Sequence, residues 1–426
     1  MKGCLSPAQE TTNHMKSVFL FGAALALAAC GAQQPGHLTA GNWQGHLLRE
    51  DGGDIVFNFE VQDSAGKKTI HILNAGERLL VDDVRQEGDS VFIRMPFYDS
   101  EFRTALQPDG SLEGRWIRHL ADKDVSIAFK GLPGIAERFP AKNPPKFNIT
   151  GRWPTHFTAP GKADSTFAIG EFVQEGSAVK GTFLTTTGDY RYLQGVVDGD
   201  TLKISTFDGS FAYVFTARIE NDSTLGNGVF LQGITNRLAF TARKDSSARL
   251  QDATTISTVR EANATLDFSF PDLNGKPVSI KDERFKNKAV VIQISGSWCP
   301  NCMDETRYLS EWYKQNKDRG AEIVMLSYER TTDFEKSKKA LESFTKRFDI
   351  AYPILITGVT PADPQKTEKT LPQITAIKGF PTTIYLDRQG RVRKVHTGFN
   401  GPGTGEHYEE YKHEFNALMD ELLKES

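Results

Sequence analysis

The four cysteines of this 426-residue chain fall at positions 4, 30, 299 and 302, and the last two stand close enough to share electrons. Cys299-Pro300-Asn301-Cys302 follows a run with the apolar character of a buried strand, residues 290–294, and opens a helical pattern over residues 303–317. A helix N-terminus carries positive potential and unpaired backbone N–H groups, both of which favour a thiolate. Cys299, the more N-terminal and more exposed of the pair, is therefore expected to have a depressed pKa and to attack; Cys302, one turn further in, would resolve the mixed disulfide. Pro300 stiffens the turn between them. Half of a zinc site would also need a Cys-x-x-Cys, but the chain has no second pair and no nearby His, so no metal is expected.

Two further features accompany the pair. Trp298 directly precedes Cys299, and Gly379-Phe380-Pro381-Thr382-Thr383 stands before a predicted strand. A cis bond at Pro381 is inexpensive for an X–Pro pair and would leave the Phe380 backbone free to pair with an extended peptide.

Around these residues, strands alternate with helices: strands over 322–327, 383–386 and 392–395, helices over 334–348 and 408–423. That alternation implies a mixed sheet covered on both faces. Residues 264–426 resemble the thioredoxin superfamily and, within it, the TlpA/ResA-type extracytoplasmic thiol-disulfide oxidoreductases. The motifs that carry the resemblance are Phe268-Ser269-Phe270-Pro271-Asp272-Leu273-Asn274-Gly275-Lys276, Trp298-Cys299-Pro300-Asn301-Cys302, and Gly379 to Thr383 followed by Ile384-Tyr385-Leu386-Asp387. The resemblance implies a thioredoxin-like α/β domain, catalysis by Cys299 and Cys302, and Trp298, Pro300, Phe380 and Pro381 as substrate-binding residues. It also implies proton handling by Glu305, three residues beyond the second cysteine. Where thioredoxins carry a buried Asp, six residues before the nucleophile, this chain has Gln293, which cannot take a proton. Any general-base role would then shift to Glu305. A simpler reading puts Glu305 on an exposed first turn, where it would only favour the helix dipole.

The remaining cysteines belong to a different kind of segment. Residues 15–30, MKSVFLFGAALALAAC, carry one Lys, an apolar run too short to span a bilayer and a terminal Cys, the pattern of a secretory signal whose translation starts at Met15. Leu27-Ala28-Ala29-Cys30 resembles the lipobox of bacterial lipoproteins, implying lipidation at Cys30, a periplasmic location and, with Gly31 following, anchoring to the outer membrane. Cys4 would be absent from the mature chain. An exported chain with one close pair is not stapled by disulfides.

At about one domain per 150 residues, the length suggests two or three domains. A net charge of -3, from 51 basic and 54 acidic residues, supplies no positive field for nucleic acid. The 28 Phe suit sheet-rich packing. Residues 38–130 show period-two runs broken by Gly and Asp, expected to be antiparallel strands. Four prolines between 133 and 145 mark an extended connector. The pattern then returns over 149–243: Gly41-Asn42-Trp43 is echoed by Gly151-Arg152-Trp153, Gly88-Asp89-Ser90 by Gly199-Asp200-Thr201, and Ile127-Ala128-Phe129 by Leu238-Ala239-Phe240. The shifts are 110 or 111 residues (151 minus 41; 238 minus 127), so a duplication is expected. It could form two small barrels or sandwiches, or two halves of one barrel. Trp43, Trp116 and Trp153 are expected in the core. Residues 244–263 read as a polar linker, and residues 357–378 as a long loop near the redox pair that selects partners.

The expected protein is thus multidomain, a duplicated antiparallel all-β region followed by a thioredoxin-like α/β domain. Its expected activity is reduction of protein disulfides without a cofactor, with recharging by an unidentified membrane thiol reductant. Two alternatives are a thiol peroxidase, though the residues before Cys299 lack the Pro and Thr of the Pro-x-x-x-Thr-x-x-Cys arrangement, and a surface lipoprotein whose β region binds a partner.

Overall fold

The computed structural model describes residues 36–96, 98–120 and 123–425. Met15, Cys4, the run over 15–30 with Cys30, and Phe97 lie outside the described residues. Among the described residues no helix is long and apolar enough to cross a membrane.

The first nine strands are β1 (Gly41–Leu48), β2 (Ile55–Ser64), β3 (Lys67–Asn74), β4 (Glu77–Val81), β5 (Asp83–Glu87), β6 (Ser90–Arg94), β7 (Ser100–Leu106), β8 (Leu112–His119) and β9 (Asp124–Pro133). The next nine are β10 (Gly151–Thr158), β11 (Ser165–Glu175), β12 (Ala178–Thr185), β13 (Gly188–Asp189), β14 (Leu193–Asp198), β15 (Thr201–Phe207), β16 (Ala212–Asn221), β17 (Thr224–Gln232) and β18 (Asn236–Arg243). Each set forms its own antiparallel sheet, so the duplication yields two sheets rather than two halves of one. The first runs β4-β3-β2-β1-β9-β8-β7-β6-β5. The second has the corresponding order, and pairing of β12 with β14 closes it into a barrel. Side chains alternate as the period of a strand requires: along β7, Ser100, Phe102, Thr104 and Leu106 point inward. Trp43 and Trp153 are buried at equivalent positions, and each donates its indole N–H to a carbonyl four residues earlier, Thr39 and Ile149. Trp116 is buried as well.

The two sheets share a core. Phe207, at the end of β15, inserts among Phe57, Phe102 and Trp116 of the first sheet, with its ring 4.2 Å from that of Phe57. The proline-rich connector is built into this junction. Its Arg138 is buried and donates to the carbonyls of Leu73 and Ser205 and to the amide oxygens of Asn58 and Asn74.

The C-terminal part begins with α1 (Ala253–Ile256) and the hairpin β19 (Ser269–Pro271) and β20 (Pro277–Ser279). Then come β21 (Ala289–Ser295), α2 (Pro300–Asn316), β22 (Ala321–Ser327), α3 (Phe334–Phe348), β23 (Ile354–Ile356), α4 (Lys366–Thr370), β24 (Thr382–Leu386), β25 (Val392–Thr397) and α5 (Glu406–Lys424). The sheet order is β23-β22-β21-β24-β25, with β21, β22 and β23 parallel and the last two strands antiparallel. Every residue of β21 is buried, as expected for a strand covered on both faces. Val291 and its same-face neighbours pack with Met303 and Leu309 of α2, Phe344 of α3 and Phe415 of α5; Val290, Ile292 and Ile294 pack with Phe268, Leu371, Ile374 and Ile377.

Two segments read as loose are held down. Residues 357–378 contain α4 and supply core side chains, because Leu371, Ile374 and Ile377 cover the second face of the sheet. The polar stretch before β19 docks along them: Thr375 N–H donates to the Thr258 carbonyl at 2.7 Å, and Ser257 is buried against Thr397.

Candidate active site

The loop between β21 and α2 is folded tightly by its own residues. Gly296 has no room for a side chain, since a Cβ there would lie 2.3 Å from the Trp298 indole nitrogen and 2.9 Å from the Tyr328 carbonyl oxygen. Trp298 donates that indole N–H to the same carbonyl at 2.8 Å. Ser297 is fixed by its N–H and hydroxyl, which both donate to the Glu329 carboxylate. Cys299 then caps α2, with Pro300 at the first helical position, where a missing N–H costs nothing. The helix consequently starts three residues earlier than its apolar periodicity suggests.

Cys299 and Cys302 form a disulfide with Cα atoms 5.2 Å apart. The Cys302 N–H points at Cys299 Sγ, 3.3 Å away, so the first turn of α2 is aimed at that sulfur. On its other side Cys299 Sγ lies 3.7 Å from the Phe380 carbonyl oxygen. The Phe380–Pro381 bond is cis. The Phe380 ring stands edge-on between Trp298 and Tyr328, each 5.5 Å away, and the Arg330 guanidinium covers the outer face of Trp298 at 4.9 Å. Trp298, Pro300, Phe380 and Pro381 therefore gather around the sulfurs. Cys299 is the more exposed cysteine, but by little: 5% against 0% for Cys302.

Glu305 is not on an exposed first turn. It is wholly buried, because this face of α2 lies against the sheet. Gln293 of β21 donates to one carboxylate oxygen at 2.8 Å, while Thr383 of β24 and Tyr411 of α5 donate to the other. Among the described residues it has no ion-pair partner, and burial pushes its pKa up to about 7 despite those three donors. A helix places residues three apart on one side, so Glu305 lies one turn below Cys302. Gln293 serves as a donor that orients Glu305, and it is itself held by Thr306 and Tyr352. Thr383 and Tyr411 were not singled out from the sequence. Thr383 sits in a quoted motif, whereas Tyr411 is distant in sequence and had no signal.

The second barrel also reaches this site. The turn between β12 and β13 brings Thr187 against Gly379, where a Cβ would lie 2.4 Å from the threonine methyl, and Gly188 against Asn301, whose amide nitrogen would lie 2.2 Å from a Cβ at Gly188. Asp189 accepts the Gly401 N–H at 2.8 Å. Arg191 is buried and donates to Asp304 of α2 at 2.5 Å and to Glu77 of the first sheet, with Asp208 3.4 Å from its Nε. Burial raises the pKa of both Asp189 and Asp208 to about 6; the neighbouring Asp304 charge adds to the first, and Arg191 opposes the second. The run Thr185-Thr186-Thr187-Gly188-Asp189 was visible in the sequence, but nothing there linked it to residues more than a hundred positions away. Among the described residues no group of three or more His, Cys, Asp or Glu side chains is arranged to hold a metal ion.

A family profile described as Redoxin matches residues 260–411. The thiol-disulfide oxidoreductase ResA of Bacillus thuringiensis subsp. konkukian is 32% identical over 145 residues, covering 34% of this chain and 72% of that protein. The ResA of Bacillus subtilis is 28% identical, covering 33% and 69%. Among solved structures, a thiol:disulfide interchange protein of the thioredoxin family from Chlorobium tepidum is 22% identical, covering 39% of this chain and 99% of that one, with a TM-score of 0.28. A cysteine pair capping a helix beside a cis-proline loop, in a segment this similar to ResA, makes the chain a member of the thioredoxin-superfamily thiol-disulfide oxidoreductases of the ResA type.

Proposed function

We propose that the protein reduces protein disulfides outside the cytoplasm by dithiol exchange, anchored by lipid on Cys30. The observation that carries the mechanism is the position of Cys299 Sγ between the Cys302 N–H at the start of α2 and the Phe380 carbonyl. In the reduced protein, the first turn of α2 favours Cys299 as the thiolate. That thiolate attacks one sulfur of a substrate disulfide; the substrate S–S bond breaks, a Cys299–substrate bond forms, and the other substrate sulfur leaves as a thiolate that takes up a proton. Cys302 then gives its proton to Glu305 and attacks Cys299 Sγ; the Cys299–substrate bond breaks, and the second substrate sulfur leaves as a thiolate that takes up a proton. Two electrons have moved to the substrate, and the Cys299–Cys302 disulfide remains. A carboxyl with a pKa about 7 suits this duty, since it can hold or release a proton near neutral pH. An external dithiol, drawn from a membrane reductant, returns the pair to its reduced state.

Trp298, Pro300, Phe380 and Pro381 form the edge along which an extended substrate segment lies. The export half of the reading rests on the secretory-type run over residues 15–30 and its terminal Cys30, which point to the periplasmic face of the outer membrane. Trapping tests the assignment of the two sulfurs. A Cys302→Ser variant is expected to accumulate substrates as mixed disulfides on Cys299, released by dithiothreitol and identified by mass spectrometry. Trapping by Cys299→Ser instead would assign the attacking role to Cys302.

A further inference from the structure

The redox pair is more enclosed than its role requires. Asn301, between the two cysteines, is 9% exposed, and Cys299 only 5%, although both sit at the start of α2. The turn between β12 and β13 lies against Asn301 and the loops beside the pair. Its Thr187 meets Gly379, its Gly188 meets Asn301, and the Thr186 carbonyl lies 2.8 Å from where a Cβ at Gly398 would stand. These contacts touch the Cys-x-x-Cys turn, the cis-proline loop and, after β25, Gly398, whose N–H donates to the Pro381 carbonyl at 2.8 Å. We propose that residues 185–191 of the second barrel are a removable cover that determines which disulfides reach Cys299, admitting small disulfides and excluding bulky protein ones until it lifts. The proposal rests on Cys299 being the attacking sulfur.

Removability follows from how the cover is held. No strand pairing joins it to the redox domain among the described residues, and β13 is only two residues long. Its contacts to the redox domain are polar or made by small side chains, while Tyr190 roots it in the aromatic core of its own barrel. The anchor is Arg191, which bonds to Asp304 on α2, Glu77 on the first sheet and Asp208 on the second barrel. One guanidinium there faces four buried or half-buried carboxyls, counting Asp189; Tyr98 adds its phenol, and Arg307 reaches Asp304 from outside at 3.6 Å. Asn301 Oδ1 lacks a hydrogen-bond partner, and Asp208 Oδ2 and Asp304 Oδ1 have only long ion-pair contacts, to Arg191 at 3.4 Å and to Arg307 at 3.6 Å. Buried polar atoms so weakly satisfied regain water when the junction opens, which lowers the cost of opening. Gly188 is required where it stands, since its φ of 144° disfavours other residues and Asn301 occupies the side-chain space.

Two reagents with one warhead and different bulk test this on the full chain. The protein is reduced with dithiothreitol, desalted and treated with N-ethylmaleimide or a polyethylene-glycol maleimide, and the modified cysteine is identified by peptide mass mapping. Relative to the same pair of reagents on free cysteine, wild-type Cys299 is expected to disfavour the bulky reagent by roughly tenfold or more, as for a site that opens only locally. Gly188→Ala, which pushes the turn off Asn301, and Arg191→Met, which removes the anchor, are expected to raise the bulky-reagent rate by about tenfold while changing the small-reagent rate by about twofold or less. Thermal unfolding followed by circular dichroism establishes that each variant is folded, and Gly188→Ala leaves the ion cluster intact should Arg191→Met fail. A wild-type ratio equal to that of free cysteine, or no change in any folded variant, overturns the cover. Faster modification of Cys302 than of Cys299 instead overturns the assignment of the nucleophile, so the two failures are distinct.

Discussion

The second barrel makes two junctions, and they are built from different chemistry. Toward the first sheet it offers an apolar plug, Phe207 among Phe57, Phe102 and Trp116, ringed by a hydrogen-bonded network through Arg138 and Asn74. Toward the redox domain it offers small and polar residues, one arginine and an excess of carboxyls. The same hairpin position takes part in each. In the first sheet the turn after β3 holds Asn74, which donates to the Phe207 carbonyl at 2.7 Å and accepts its N–H at 3.2 Å. In the second, Thr185 closes its own turn by donating to the Gly188 carbonyl, and the tip is free to meet the redox pair. Duplication supplied two copies of a docking hairpin. One became part of a permanent core and the other ends over chemistry that must be reached and left.

The sharpest way to break this contrast is at the plug. Phe207→Ala empties a space shared by both sheets, and phenylalanine-to-alanine changes in cores cost about 3–5 kcal/mol. The expected result is a large fall in thermal stability of the β region, while the maleimide ratio at Cys299 changes little. A variant that opened the redox site as much as Arg191→Met would show that the two junctions are coupled rather than separate.

A smaller effect is expected from Asn74→Ala. It leaves the buried Phe207 backbone groups without their partners and removes one acceptor from Arg138, which burial already holds down to about 9, still charged at neutral pH. Losing a partner at a buried polar group costs about 1–3 kcal/mol. Denaturant unfolding of the full chain measures it, and a change below about 0.5 kcal/mol would mean that water replaces the amide.

Much of the redox domain was legible because its signals are local. The Cys-x-x-Cys, the Gly-Phe-Pro loop and the alternating strands and helices are all read within windows of a few residues, and β21, β22, α3, β24 and α5 fall where periodicity indicated. The edge strand β23 escaped because three residues carry no period. The duplication was legible from shifts of 110 and 111, which map every strand of the first sheet onto one of the second. Burial was less legible. Glu305 three residues after Cys302 could face water or the sheet, and only the packing of α2 against Gln293 and Thr383 decides that it is buried. The proximity of Gly188 to Asn301 had no signal at all, since contacts between elements far apart in sequence leave no trace in the local pattern of either.

The charged junction should respond to pH where the apolar one does not. In the closed form Asp189 and Asp208 hold protons up to about pH 6, against the ordinary 3.8, because burial opposes their ionisation. Once the cover lifts, water returns them toward the ordinary value. The closed form therefore binds more protons across that window, and linkage gives the sign: closure is strongest on the acid side and weakens as pH rises toward and through about 6, with no further change well above it. The groups facing these two carboxyls are Arg191, Glu77, Asp304 and the phenols of Tyr98, Tyr192 and Tyr213. The ratio of bulky to small maleimide at Cys299 isolates this effect, because both reagents react with the same thiolate and its ionisation cancels. Between about pH 5 and pH 7 that ratio is expected to rise roughly three- to tenfold and then to level off, as Asp189 and Asp208 lose their protons. A ratio that stays flat would leave the cover in place but remove the carboxyls from its control; a ratio that falls would mean that ionised Asp189 and Asp208 strengthen Arg191's hold, and that the junction is a salt bridge in the ordinary sense.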